Sequence, residues 1–516
     1  MALFRSVATI GSLTLTSRLL GFVRDTLFAA VLGAGPASDA FIIAFRLPNI
    51  FRTLFAEGAF NAAFVPLYAL QLHHGGARAG RAFAERVLAV LLVSLVIFCA
   101  VAMVLMPWLM HVLAPGFSDE PAKFDLAVEL TRLTFPYLLF ISLASLQGAI
   151  LNAHNRFGPP AATPIVLNLI LIASLIGPAR AFDPAHAQAW AVTVAGVAQF
   201  LWLAWSLRQS GLSLSLPRPR LTPEVRQLFR LMGPAVVGSG AMQLNVLVDT
   251  MLCTLLPTGS VSYLFYADRL NQLPLGVIGI AIGTALLPLM TRLLAQGNQA
   301  EASASQNRAI EFAFFLTMPA AAAFIAVPEA LVSTLFQRGA FTAEDAQATA
   351  MALAAFALGL PAYVAIKCLT PGFHARRDTR TPVRIAMLSM LVNFVLNLAL
   401  MIPLKHVGLA LATAIAAWLN AGQLAFVLHR RGHFQADRRL ISRTLRILVA
   451  CLVMGLGVAW LWQAMLPHLA LHSLARIGGL GVLALAGVLI YAGGGRLLGV
   501  WRWRELQDMF RRSPRT

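Results

Sequence analysis

The chain has 516 residues, of which 59% are hydrophobic and only 12% are charged, and its formal net charge is +19. Soluble domains usually carry about 25% charged residues, so this composition excludes a protein folded around one aqueous core. Many apolar runs reach the roughly 20 residues that a membrane-spanning helix needs. Period-two alternation is absent, which favours helices over a closed barrel. We therefore predict an all-α polytopic membrane protein.

Taken in chain order, the apolar runs predict about fourteen transmembrane helices. The first run is interrupted by Arg18 and Arg24 and has no small-residue cleavage site, so we interpret it as a retained helix rather than a signal peptide. The predicted spans are residues 7–33, 38–70, 86–113, 127–150, 161–177, 188–206, 224–255, 262–294, 308–336, 346–370, 383–403, 407–429, 442–464 and 473–497.

The 40 lysines and arginines are unevenly divided between the two sides of the membrane. The N-terminus, the even-numbered connections and the C-terminal tail hold 28 of them, whereas the odd-numbered connections and their borders hold five. The positive-inside rule then predicts that both termini are cytoplasmic, and no nucleic-acid partner is expected. The other seven cations fall within the spans: Arg18, Arg24, Arg46, Arg52, Arg132, Arg269 and Lys367.

Short motifs recur at a nearly constant offset of 222–225 residues. Asp25-Thr26 recurs as Asp249-Thr250, and Ser38 recurs as Ser262. Two six-helix halves of equal topology are known in several transporter folds; chance similarity between apolar helices is the alternative. The pattern predicts two pseudo-symmetric six-helix lobes, 1–215 and 216–432, followed by two additional helices and a basic tail in 433–516.

Arginines within the first helix are informative because an Arg at mid-bilayer costs about 2.5–3.5 kcal/mol even on a lenient scale. Such residues must face a watery cavity or counter-charges. Arg18 and Asp25 are seven positions apart and share one helix face, while Ser17 and Arg24 share a neighbouring face. Arg132 lies near a span end and is expected to extend toward the membrane surface.

The second and eighth helices carry similar groups. Asn49 and Arg52 are three positions apart in the second helix, and Asp268 precedes Arg269 in the eighth. One interpretation is a cationic cavity for an anionic group, because a planar guanidinium suits phosphate. The other is ion pairing within the membrane, namely Arg18 with Asp25, Arg46 with Asp39 and Arg269 with Asp268. In-span cations outnumber acids in the first two helices, which favours the cavity.

Seven segments carry a family pattern. They are Thr16-Ser17-Arg18, Gly21-Phe22-Val23-Arg24-Asp25, Ser38-Asp39-Ala40-Phe41, Arg46-Leu47-Pro48-Asn49 with Arg52, Glu57-Gly58-Ala59-Phe60, Tyr266-Ala267-Asp268-Arg269-Leu270, and Phe373-His374-Ala375 to Asp378-Thr379-Arg380-Thr381-Pro382. These segments resemble the MurJ (MviN) lipid II flippase family, and the similarity extends along nearly the whole chain. That family belongs to the multidrug/oligosaccharidyl-lipid/polysaccharide exporter superfamily, with two six-helix lobes and two extra helices.

The resemblance implies a transporter of the bacterial inner membrane that moves undecaprenyl-pyrophosphate-linked peptidoglycan precursor from the cytoplasmic to the periplasmic leaflet by alternating access. It implies lipid II and membrane lipids as partners, a monomer, no enzymatic activity, and cell-wall synthesis proteins as candidate partners. It also implies a lipid-tail groove formed partly by helices 13 and 14. The substrate-binding residues that we predict are Arg18, Arg24, Arg52, Arg269, Asp39, Ser17, Asp25 and Asn49.

No cofactor is predicted, and a Walker A loop is impossible because no Gly-Lys pair exists. A coupling ion, Na⁺ or H⁺, or the membrane potential would then supply the energy. Some family members hold Na⁺, and the matching positions here are Asp249, Asn393, Asn397 and Thr413. Asn397 stands where an acid is expected. Interhelical hydrogen bonding by these amides is therefore the alternative.

Three other functions remain open on the sequence. An exporter of the same superfamily could carry an O-antigen type polyprenyl-linked oligosaccharide or drugs, although a drug exporter should line its cavity with acids and aromatics. A membrane glycosyltransferase would need a catalytic acid, for which Asp119, Glu120 and Asp125 are candidates on a solvated loop. A scaffold in cell-wall assembly would tolerate loss of the buried arginines.

Overall fold

A computed structural model describes residues 2–53, 60–466 and 473–500 of the chain. Within these ranges the secondary structure is helical, with sixteen α-helices and no strand, so the all-α prediction is confirmed. The helices are α1 (Ala2–Leu32), α2 (Pro36–Phe51), α3 (Phe60–Val104), α4 (Met106–Leu113), α5 (Pro121–Thr134), α6 (Tyr137–Ala153), α7 (Gly158–Ile176), α8 (Pro184–Gln209), α9 (Pro223–Thr254), α10 (Ser260–Ala295), α11 (Gln299–Ala326), α12 (Pro328–Phe336), α13 (Ala343–His374), α14 (Arg380–Arg430), α15 (Arg438–Met465) and α16 (Ser473–Leu497).

Nine helical stretches in the described ranges are long and apolar enough to cross a membrane. Two of them contain a break and hold two segments each. Gly76 interrupts α3 at a φ of 67°, and Lys405 interrupts α14 at a φ of 49°. These breaks fall between the second and third predicted spans and between the eleventh and twelfth. Residues 54–59 of the second predicted span, with its Glu57-Gly58-Ala59 motif, lie outside the described residues, as does the basic tail 501–516.

The chain divides into two compact units. The first is Met1–Ser262 together with Arg338–Phe341, and the second is Tyr263–Gln337 together with Thr342–Thr516. Compactness does not measure internal symmetry, so the predicted lobes 1–215 and 216–432 remain a prediction.

In the second unit, α15 is fastened to α11 by a cluster of charged side chains. Glu311 on α11 is only 7% exposed and accepts hydrogen bonds from Arg308 and Arg443. Arg439 adds a longer ion pair to Glu311 at 3.4 Å, and Arg308 also pairs with Asp437, which caps the N-terminus of α15. A buried carboxylate needs such partners, because an uncompensated buried charge is strongly destabilising. These contacts therefore make α15 an integral part of this unit.

Candidate functional site

Arg24 on α1 is held in place by side chains from two helices. Its Nε and Nη2 donate to Asp25 Oδ1 at 3.0 and 2.6 Å, and its Nη1 donates to Asn168 Oδ1 at 3.0 Å. Asn168 lies on α7 and donates through Nδ2 to the carbonyl oxygen of Ser17 at 3.0 Å. The Asn168 amide thus contacts Ser17 and Arg24, and Arg24 contacts Asp25. Arg18 lies half-buried on the same helix.

Asn168 was missed by the sequence reasoning. It is 6% exposed and fixes the direction of the Arg24 guanidinium. The available signal was a single amide in an otherwise apolar span, and an isolated Asn there must find a hydrogen-bond partner. The partner could not be identified because the contact joins residues 144 positions apart.

Arg52 and Asn49 form a second local pair in the first unit. Arg52 Nε donates to Asn49 Oδ1 at 3.2 Å, and Asn49 Nδ2 donates to the carbonyl oxygen of Phe45 at 3.1 Å. The predicted spacing of three residues therefore places both side chains on one side of the helix. Arg46 is half-buried on α2.

Arg269 belongs to the second unit and lies half-buried on α10. Its guanidinium carbon is 4.7 Å from the centroid of the Phe265 ring, within the range of a cation–π interaction. The neighbouring Asp268 accepts a hydrogen bond from Gln272 at 2.5 Å. A guanidinium stacked on an aromatic ring keeps its N–H donors in its own plane.

Asp39 is a buried carboxylate that accepts several hydrogen bonds. It is 1% exposed and accepts hydrogen bonds from the backbone N–H groups of Gly259 and Ser262 at 2.7 and 3.0 Å, and from Ser262 Oγ at 2.6 Å. Because α10 begins at Ser260, this carboxylate caps the positive end of that helix. Lys123 Nζ lies 3.2 Å from Asp39 and neutralises it. The ion-pairing interpretation of the sequence paired Asp39 with Arg46. The ion pair of Asp39 in the structure is with Lys123.

Lys123 is a second residue that the sequence reasoning missed. It is one of the five cations counted in the odd-numbered connections and their borders. It is 4% exposed, donates to Thr258 Oγ1 at 2.9 Å, and lies 4.3 Å above the ring of Phe117. Thr258 in turn donates to Glu120 at 2.8 Å. The connection before α5 folds onto residues 254–262, which removes Lys123 from water.

Several contacts in the first unit join positions that correspond to each other in the predicted repeat. Ser38 and Ser262, which are 224 positions apart, share a hydrogen bond of 2.8 Å between their hydroxyls. A Cβ on Gly116 would collide with the carbonyl oxygen of Thr254, and a Cβ on Gly339 would collide with that of Ala30. Gly116 and Gly339 differ by 223 positions, and Ala30 and Thr254 by 224. Each of these glycines therefore lies against the end of a helix, and the two contacts correspond to each other at the offset of the predicted repeat.

We expect Gly339→Val to separate residues 339–340 from the Ala30 carbonyl and so to destabilise the first unit. Gly339 has a φ of 56°, a conformation that costs a β-branched residue free energy, and its Cα lies against the Ala30 carbonyl. The Ala340 N–H, which donates to Ala30 O at 2.8 Å, would lose its partner. Thermal unfolding in detergent should show a loss of roughly 1–3 kcal/mol. Gly297→Val also lies at positive φ but meets no neighbour, and a loss as large there would contradict the packing explanation.

Three of the four predicted ion-site residues form hydrogen bonds among themselves. Asn397 Nδ2 donates to Asn393 Oδ1 at 3.2 Å, and Asn393 Nδ2 donates to Thr413 Oγ1 at 3.4 Å across the break in α14. Asp249 is in the first unit, where Asn245 donates to it at 3.2 Å. Within the second unit the donor set is neutral, and its bonds match the hydrogen-bonding interpretation. The ion site remains a prediction.

The loop between α13 and α14 is held in its conformation by hydrogen bonds to Asp378. Thr381 N donates to its Oδ1 at 3.0 Å and Arg431 Nη1 to its Oδ2 at 2.7 Å. Hydrogen bonds from Thr381, followed by the bond and the charge of Arg431, hold the pKa of Asp378 below its ordinary value. The basic loop is thereby fixed between the two helices.

We expect Asp378→Asn to lower thermal stability at pH 7, by at most about 1 kcal/mol because the pair is partly exposed. A carboxylate whose folded pKa is depressed stabilises the protein above its unfolded pKa of about 3.9, and this contribution disappears as the pH falls through the folded pKa. The difference from wild type should therefore shrink below about pH 3.9. Unfolding scans at several pH values measure it; a difference that stays constant with pH would contradict the ionic origin.

Comparison with known proteins identifies the family. The model of the family described as "Lipid II flippase MurJ" matches residues 28–479. The chain belongs to the MurJ lipid II flippase family. A "Probable lipid II flippase MurJ" from Rhizobium tropici is 43% identical over 498 residues, covering 95% of this chain and 93% of that protein. A "Lipid II flippase MurJ" from Burkholderia cenocepacia is 35% identical, covering 89% of this chain and 90% of that protein.

Solved structures agree with the family assignment. The structure titled "Lipid II flippase MurJ, inward closed conformation" superposes with a TM-score of 0.78 at 25% identity, covering 96% of this chain and 99% of that chain. An inward-facing multidrug transporter of the MATE family has a TM-score of 0.65 at 15% identity, covering 82% of this chain and 97% of that one, and shows the shared fold. The chain is therefore a multi-pass inner-membrane protein of the MurJ family with the superfamily fold.

Proposed function

We propose that this chain moves lipid II, the undecaprenyl-pyrophosphate-linked peptidoglycan precursor, from the cytoplasmic to the periplasmic leaflet by alternating access. Family membership over residues 28–479 carries the proposal. The chain acts as a monomeric transporter and not as an enzyme, and both termini are cytoplasmic. Proteins of cell-wall synthesis are its candidate partners.

The pyrophosphate is bound by arginine guanidinium groups. The arginines predicted to supply these groups are Arg18, Arg24, Arg52 and Arg269. Asn168 and Asp25 orient Arg24. An arriving pyrophosphate competes with Asp25 for the Arg24 N–H groups, and its greater charge favours the exchange. This exchange links substrate binding to a change in the contacts of α1.

The contacts of Asp39 with Lys123, of Gly116 with Thr254 and of Gly339 with Ala30 are called the closure. With both termini cytoplasmic, the closure lies on the periplasmic side, because α1 ends and α10 begins there. The ion pair of Asp39 with Lys123 and the two glycine contacts hold that end shut while the cytoplasmic end admits the head group. Translocation requires these contacts to break. Moving one charge across 100 mV is worth about 2.3 kcal/mol, so the membrane potential, or a Na⁺ or H⁺ gradient, supplies a useful bias.

The test is depletion of the protein in its own bacterium, followed by an assay of the leaflet that holds lipid II. We expect the precursor to accumulate on the cytoplasmic side and to reach the periplasmic side again when the wild-type chain is restored. Normal periplasmic lipid II in depleted cells would contradict the proposal and direct attention to export of another polyprenyl-linked oligosaccharide or of drugs.

A further inference from the structure

A cavity of about 470 Å³ lies inside the first unit between α3, α6 and α9. This volume is within the range of roughly 300–1,000 Å³ that is typical of ligand sites. Its inner wall is made of buried apolar side chains, whereas Ser94, Phe98, Phe229 and Gly233 at its mouth are exposed. The exposed residues place the mouth of the cavity between α3 and α9. The buried wall consists of Phe60, Leu91, Leu95, Leu138 and Met232.

One polar side chain in the cavity indicates the class of ligand that would bind there. Ser142 lines it, is 3% exposed, and its Oγ has no hydrogen-bond partner. A buried hydroxyl without a partner is destabilising. An ester carbonyl oxygen at the start of an acyl chain would accept its proton. A polyprenyl chain offers no acceptor beyond its phosphate groups, so this hydroxyl favours an acyl-ester lipid.

Cations stand at one end of the same cavity. Arg226, Phe229 and Gly233 follow one line of α9 at the spacing i, i+3, i+7, and Arg230 lies one turn from Arg226. Both arginines are exposed. On α3, Arg86 approaches Glu224 at 4.0 Å. Three arginines against one carboxylate leave a positive mouth, and basic pockets between transmembrane helices bind anionic lipid head groups.

We propose that this cavity is a binding site for an anionic phospholipid, with one acyl chain between α3, α6 and α9, an ester carbonyl at Ser142, and the phosphate at Arg226 and Arg230. The proposal does not depend on the proposed transport function. The cavity does lie near Arg52, because Phe98 at its mouth packs against the neighbouring Phe51 with ring centroids 5.2 Å apart. A lipid bound here fills the space between α3 and α9 and stabilises their packing.

The test is native mass spectrometry of the purified full chain in detergent, with phosphatidylglycerol, phosphatidylcholine and a polyprenyl phosphate as separate probes. We expect wild type to retain phosphatidylglycerol at least tenfold better than phosphatidylcholine. Gly233→Leu should abolish this retention, because a Cβ at Gly233 meets no atom within 4 Å and the larger side chain fills the cavity. The double variant Arg226→Gln/Arg230→Gln should reduce the preference for phosphatidylglycerol to less than threefold.

Two matched controls are available. Gly422 is also an exposed helical glycine with open space at its Cβ, so Gly422→Leu should retain phosphatidylglycerol like wild type. Arg208→Gln removes an exposed cation from the last turn of α8 and should do the same. A thermal melt of each lipid-free variant checks that it is folded.

Three outcomes would overturn the proposal. Equal loss in Gly422→Leu would show a general effect of bulk on a helix. Unchanged retention in a folded Gly233→Leu variant would place the lipid elsewhere. Displacement of phosphatidylglycerol by stoichiometric polyprenyl phosphate, together with loss of polyprenyl phosphate in Gly233→Leu, would assign the cavity to the substrate's own chain.

Discussion

Replacing Arg24 by alanine is expected to reduce lipid II translocation by at least one to two orders of magnitude. Hydrogen bonds to a charged group are worth about 1.5–3 kcal/mol, and each 1.4 kcal/mol is a factor of ten. The substitution also leaves Asp25 without the bonds of 2.6 and 3.0 Å that it receives from Arg24. The measurement is the amount of lipid II reaching the periplasmic leaflet in cells that express only the variant.

Arg24→Lys separates charge from geometry. An ammonium keeps the positive charge but cannot span Asp25 and Asn168 with one planar group, so we expect partial activity. Arg132→Ala serves as the matched control, because Arg132 is exposed and donates to the carbonyl oxygen of Met103 at the end of a helix. It should support near-normal translocation. Wild-type translocation by Arg24→Ala at equal protein abundance would remove Arg24 from the mechanism.

The second large effect is expected at the Asp39–Lys123 pair. Asp39→Asn leaves Lys123 buried at 4% exposure without its counter-charge, and breaking a buried pair costs about 3–5 kcal/mol. The closed arrangement of residues 254–262 should be destabilised by this amount. Asp39→Asn/Lys123→Met removes both charges and should recover part of the loss, giving a coupling free energy from the double-mutant cycle.

Cysteine labelling reports the opening directly. Ala29 is fully buried beside the closure, and the four native cysteines are buried as well. We expect Ala29→Cys to react slowly with a water-soluble maleimide in the wild-type background and several-fold faster with Asp39→Asn. Glu301→Gln removes an exposed carboxylate from the first turn of α11 and should leave the rate unchanged. Equal labelling in all three backgrounds, or no coupling in the double-mutant cycle, would show that Asp39 does not hold the closure.

Hydropathy alone predicts most of the fold, because a membrane span is a local property of about 20 residues. The prediction of separate spans on either side of residue 405 matches the break in α14. Residue types also identify the charged positions, since an intramembrane arginine is costly wherever it lies. The spacing of Asn49 and Arg52 further predicts their contact, because the two residues lie on one helix.

Partners that are distant in the sequence could not be predicted. In the sequence, Lys123 lies in a polar connection between two predicted spans. Only its packing against Thr258 in the folded chain makes it the counter-charge of Asp39. Gly116 and Gly339 contribute backbone contacts, which have no side-chain pattern to recognise. Their pairing becomes visible only when the repeat offset is compared with the contacts in space.

Translocation by the purified chain tests the central claim most directly. Wild type and Arg24→Ala would be reconstituted into sealed vesicles with lipid II in the inner leaflet and an imposed membrane potential, and head groups would be counted on the outer surface with a membrane-impermeant probe. The account predicts that lipid II appears outside with wild type and remains inside with folded Arg24→Ala. Equal transfer by both proteins, or none by folded wild type under any potential or ion gradient, would contradict it.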